Sequence, residues 1–199
     1  MDHAPNVAAS LGPGRIVVLQ PASSVTAGVA ELALGAQLFW GIALGRSGRE
    51  ALTVGMTWRG PAHGPTLAAD PTRAPVPELA VWEHLCRSAG ARFGVSSRFE
   101  RGEADEVLSI NVWLFERRND ALETLGDWTR SCEPPGLGET VFELARQVAL
   151  RVGVRLAWPD WTHAFGTGDA EAAYHYLRAL GGYNAVELGT HPQPAEALD

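Results

Sequence analysis

Few residues of this chain are of a type and spacing that do chemistry. The six histidines, His3, His63, His84, His163, His175 and His191, show neither HxxxH nor HxH spacing. The two cysteines, Cys86 and Cys132, are far apart, with no CxxC and no Cys/His cluster. A zinc site needs such ligands in close groups, so the expectation is no metal and two reduced thiols. Ser23 and Ser24 follow a short apolar run and precede a long apolar segment. Serines at a helix N-terminus cap it and can hold an anion on its free N–H groups, so this pair is the candidate anion site. Trp158-Pro159-Asp160-Trp161, with Phe165 nearby, is the one aromatic cluster suited to a contact surface. The competing expectation is that the loop folds back and buries its rings. Glu100, Glu103, Asp105 and Glu106 have the wrong spacing for an EF-hand and read as a solvated hairpin tip.

Other chemistries lack their residues. A phosphate loop needs lysine, and all 16 basic residues are arginine. No GxGxxG follows a strand, and no GxSxG elbow is present. The sequence therefore offers no catalytic residue and implies no cofactor. A net charge of −7 disfavours nonspecific nucleic-acid binding, which displaces counterions with a basic face. The arginines are scattered, and only Arg117-Arg118 are adjacent. No basic n-region leads an apolar core at the N-terminus, which gives the expectation of a cytoplasmic protein. Val25–Leu44 is just long enough to span a bilayer, but it is rich in Ala and Gly and carries Glu31. A buried helix explains it better, so no stable membrane insertion is expected.

These residues must be positioned by elements that the patterning outlines. Arg15–Gln20 is a β-branched apolar run and reads as a buried strand. A helix over about 25–44 follows, capped by Ser23 or Ser24. Ala51–Trp58 alternates as a second strand. Residues 60–77 hold five of the 13 prolines and form a long loop, a second candidate contact surface. Glu78–Ala89 reads as a helix. Three strands then form a meander, with the first two around Phe93–Phe99 and Leu108–Phe115 and a weaker third from Ala121 to about Arg130. Pro134-Pro135-Gly136 precedes an amphipathic helix over about 137–152, and a last helix spans about 169–180. The order β-α-β-α-β-β-β-α predicts an α/β fold of α+β character. Helices pack on one mixed sheet, and a C-terminal helix is added. The expected division is a flexible arm at 1–14, a domain at 15–153, an aromatic loop and packed helix at 154–188, and a flexible tail at 189–199.

This order, with three short motifs, resembles the TolB N-terminal-like α/β domain family, in the version that precedes tetratricopeptide repeats in bacterial regulatory proteins. Val18-Leu19-Gln20-Pro21 is similar to the family's first strand end, and Ala89-Gly90-Ala91-Arg92-Phe93 to its helix-to-strand passage. Gly166-Thr167-Gly168-Asp169, followed by Glu171-Ala172-Ala173-Tyr174-His175-Tyr176-Leu177-Arg178, is close to its closing segment. The family's hairpin glycine is Ser97 here. The resemblance implies no catalytic residue. It implies a protein-interaction or sensory/adaptor domain in a bacterial regulatory or envelope-related system, with a protein partner or self-association. The alternative is a small-molecule or anion-binding domain, which includes an enzyme, with its site near the first two strand ends.

Overall fold

The computed structural model describes residues 14–19, 21–23, 28–48, 50–54, 56–58, 65–67, 83, 86–87, 89–101, 107–118 and 121–187. Five strands form the main sheet in the order β3-β1-β6-β7-β8, where β1 is Arg15–Leu19, β3 Ala51–Val54, β6 Ala91–Arg101, β7 Leu108–Arg118 and β8 Ala121–Cys132. A two-residue strand, β2 (Ala22–Ser23), continues beside β6, pairing Ala22 with Arg98 and Ser23 with Phe99. β1 runs parallel to both β3 and β6, and the last three strands form an antiparallel meander. The fold class is therefore the expected α/β class with a mixed sheet.

Chain handedness sets the two faces. The first connection, β1 to β3, carries α1 (Val29–Arg46). The return from β3 to β6 lies on the other side of β1, so a right-handed crossover puts its helical turn on the opposite face. The packing agrees. Ile16 and Val18 join the core under the main helices, whereas Val17 and Leu19 pack in a second cluster with Cys86 and Ala91. Most of the expected Glu78–Ala89 helix lies outside the described residues; Glu83, Cys86 and Arg87 are its helical described part. In β7 the even-numbered residues Leu108 to Glu116 are buried and the odd-numbered ones half-buried, so one face is sealed and the other partly covered.

Two expectations need correction. Helix α1 starts at Val29, not about Val25, and its N-cap is Gly28 in the left-handed region with no side-chain cap. Ser23 is a strand residue and does not cap it. Ala51–Trp58 is also not one strand: Ala51–Val54 joins the main sheet, while β4 (Met56–Trp58) pairs antiparallel with β5 (Pro65–Leu67) in a separate ribbon. Most of the 60–77 loop, the 1–13 arm, the acidic turn at 102–106 and the 188–199 tail lie outside the described residues.

A turn at Pro134–Gly136 leads into α2 (Leu137–Arg151), followed by α3 (Trp161–Phe165) and α4 (Ala170–Glu187). The Ala- and Gly-rich α1 is sandwiched between the sheet and α4. Its small residues permit a close crossing: a Cβ on Gly35 would lie 1.9 Å from the Leu177 carbonyl oxygen, and one on Gly181 1.7 Å from that of Glu31. Two buried side chains satisfy backbone groups across layers. Gln37 Nε2 donates to the Val18 carbonyl at 3.1 Å, and Trp40 Nε1 to that of Val141 at 2.8 Å. No helix among the described residues is long and apolar enough to cross a membrane.

Candidate functional site

The aromatic segment begins at a chain reversal. Just past α2, Gly153 has a φ of 77° that lets the chain turn back while Val154 N–H bonds the Ala149 carbonyl at 2.9 Å. The chain then crosses α1, where Trp158 stacks on Phe39 with ring centres 6.1 Å apart. Asp160 starts α3 as its N-cap. Its Oδ1 accepts from the His163 N–H at 3.0 Å and the Thr162 hydroxyl at 2.7 Å, and lies 2.8 Å from His163 Nδ1. The His163 ring, then its backbone N–H, then Thr162 hold the Asp160 carboxyl well below the usual carboxylate range. Phe165, at the end of α3, stacks on Phe39 at 4.7 Å and meets the edge of Tyr176 at 5.7 Å. Asp169 then caps α4 through the Glu171 and Ala172 N–H groups.

Of the three predicted contact residues, Trp158 and Phe165 thus come together on one face of α1. Trp161 packs against the same core. All three are half-buried: the loop has folded back without sealing its rings. Ser23 lies in β2, and Ser24 is outside the described residues.

Beside Trp158 is a cleft of about 270 Å³. Leu150, Val154 and Leu156 give it apolar walls, and Arg146 and Arg155 line it with charge. Leu150, on the α2 side of the cleft, is 53% exposed. The Arg46 guanidinium, from the last turn of α1, lies 5.3 Å from the Trp158 ring centre, in cation–π range. Arg146 pairs with Glu143, whereas Arg46 and Arg155 face no carboxylate among the described residues. The sequence places these arginines far apart, and only the convergence of the ends of α1 and α2 groups them.

The other polar constellations are committed to structure. Glu116 is 1% exposed and takes Arg92 Nη2 and Arg118 Nη2 at 2.6 Å each, one on each carboxylate oxygen. Arg92 sits at a register shift where β1 pairs with β6, and its guanidinium lies 5.2 Å from the Phe93 ring centre. His163 lines a shallow hollow with Thr167, but its partner Asp160 is engaged as a helix cap and the Thr167 hydroxyl accepts from the Asp169 N–H. Burial pushes the Cys86 thiol up to about 11, and also raises that of Cys132, so neither is an activated nucleophile. Among the described residues no group of three His, Cys, Asp or Glu is placed to hold a metal ion.

No family model matches the chain, and no curated protein matches it. Among solved structures, it is similar to the PelC dodecamer of Paraburkholderia phytofirmans at 17% identity and TM-score 0.44, over 72% of this chain and 89% of that one. The lipoprotein GNA1162 of Neisseria meningitidis is 19% identical at TM-score 0.41, over 69% and 97% of the two chains. The hypothetical protein CT253 of Chlamydia trachomatis is 12% identical at TM-score 0.40, over 78% and 99%. Likeness at this level carries no functional argument.

Proposed function

We propose that this chain is a non-enzymatic protein-interaction domain of the TolB-like type, serving as a sensory or adaptor module in a bacterial regulatory or envelope-related system. The observation that carries this reading is the half-covered aromatic segment at 154–165. It presents large rings next to the exposed Leu150 of α2 and beside Arg46 and Arg155, which face no carboxylate among the described residues. Aromatic and arginine side chains with part of their surface wet are the groups that anchor protein interfaces. Two other polar clusters support the same reading, because Glu116 is held by Arg92 and Arg118 and Asp160 is engaged as a helix cap. The order of strand, helix, meander and helix is also the order that the TolB-like resemblance implies. Self-association is one form the partner takes in this proposal, and a cytoplasmic site of action belongs to it as well.

The test combines light scattering on the purified chain with affinity capture. The expected result is either a mass above the 21.3 kDa of one chain or a reproducible partner. Trp161→Ala should weaken that association while the far-ultraviolet circular dichroism stays unchanged. A strict monomer with no recoverable partner overturns the reading.

A further inference from the structure

The cleft beside Trp158 also indicates the chemistry of what it takes. We propose that it binds an acidic peptide segment carrying a leucine-sized apolar anchor. This deepens the reading of the chain as an interaction domain and rests on it. The anchor enters between Leu150, Val154, Leu156 and Trp158, and flanking carboxylates meet Arg155 and Arg146.

Three observations lead to this occupant. The first is size. About 270 Å³ falls below the roughly 300–1,000 Å³ typical of small-molecule pockets, yet it accepts one branched side chain. The second is the lining, with an apolar patch and two arginines in one cleft. A free inorganic anion gains nothing from the apolar walls, and a neutral apolar ligand gains nothing from the guanidiniums. A peptide with carboxylates on either side of an apolar residue uses both. The third is charge. The chain carries −7 overall, but three arginines gather around Trp158 with Glu143 as their one carboxylate partner among the described residues. The molecule as a whole repels acidic partners, so this local reversal of sign selects where such a partner docks. Arginine forks also match carboxylates in two-point hydrogen bonds.

The experiment uses the full chain and a fluorescein-labelled peptide, Glu-Asp-Leu-Glu-Asp with blocked ends, read by anisotropy and by indole N–H shifts in a nuclear magnetic resonance spectrum. Saturable binding that weakens with added salt is expected. Replacing the peptide leucine by serine should cost about tenfold in affinity, and so should Arg155→Glu. Leu150→Ser, at an exposed position, is the second variant and should act in the same direction with the melting temperature unchanged. Inorganic phosphate should weaken peptide binding no more than chloride does at equal ionic strength. The proposal is overturned if the peptide does not bind, if the serine peptide binds equally well, if phosphate displaces it more than chloride does at equal ionic strength, or if neither variant weakens it. Failure of the peptide while affinity capture still recovers a partner removes only this cleft; failure of both removes the interaction reading too.

Discussion

Two groups of arginines occupy this molecule in opposite ways. At the sheet end, Arg92 and Arg118 close on the buried carboxylate of Glu116, and Arg118 also lies 3.6 Å from Glu123. At the helix ends, Arg46 lies over Trp158, Arg155 lines the adjoining cleft, and Arg146 is shared with Glu143. The first group satisfies a charge that the fold itself has buried. The second has no buried charge to satisfy and is arranged around apolar surface that the fold leaves half wet. A guanidinium that completes its own structure is silent toward partners, whereas one held beside an exposed leucine keeps its hydrogen-bonding capacity for something outside the chain.

Substitutions can break this contrast, and they separate by size of effect. Glu116→Ala strands two guanidiniums at a buried site. Because both arginines are partly exposed and can rehydrate, the expected loss is about 2–3 kcal/mol, which lowers the melting temperature by roughly 5–10 °C in calorimetry. A loss under half that would show that the clamp is not structural. Trp158→Ala removes a half-buried ring stacked on Phe39. It should cost about 1–2 kcal/mol by urea titration and abolish peptide binding, so this residue belongs to both fold and cleft. Arg155→Glu should change stability by no more than about 0.5 kcal/mol while weakening acidic-peptide binding about tenfold. A large loss of stability there would erase the distinction between the two groups.

The smallest effect concerns the Asp160 cap, which frames the same aromatic segment. Its carboxyl is held below its ordinary value in the folded state, so its contribution is fully present above the unfolded-state value of about 4. It is lost as the pH falls from there through the folded-state value. Asp160→Asn keeps a capping side chain but removes the titration. Melting temperatures measured between about pH 6 and pH 2 should therefore fall less steeply for this variant than for the wild type. Parallel profiles would show that the cap does not sense pH.

Much of the frame is legible in local pattern. Arg15–Leu19 reads as a buried strand from its branched residues, and the meander reads from strict alternation over β7. Helix α2 reads from its apolar stripe, and its observed bounds, Leu137–Arg151, fall within a residue of the expected ones. These signals are short-range, because the backbone period and the side chains that express it lie in the same segment. The errors occur where a partner had to be chosen. Alternation in Ala51–Trp58 is equally compatible with either sheet, and the sequence carries no sign that Val54 stays in one while Met56 enters another. Likewise, a serine pair before an apolar helix suits a cap, but the backbone there first pairs with β6.

The site divides in the same way. From the residues alone, Trp158, Trp161 and Phe165 stand out as an aromatic cluster because they are neighbours in the chain, and the absence of lysine and of a metal-ligand pattern in the sequence limits the chemistry. That Trp158 and Phe165 share Phe39, that Leu150 stays exposed, and that Arg46 lies over the Trp158 ring while Arg146 and Arg155 line the cleft beside it are products of the tertiary structure. The physical reason is range. Pattern and propensity act over a few residues, while a cleft is made of side chains brought together only when the ends of two packed helices meet.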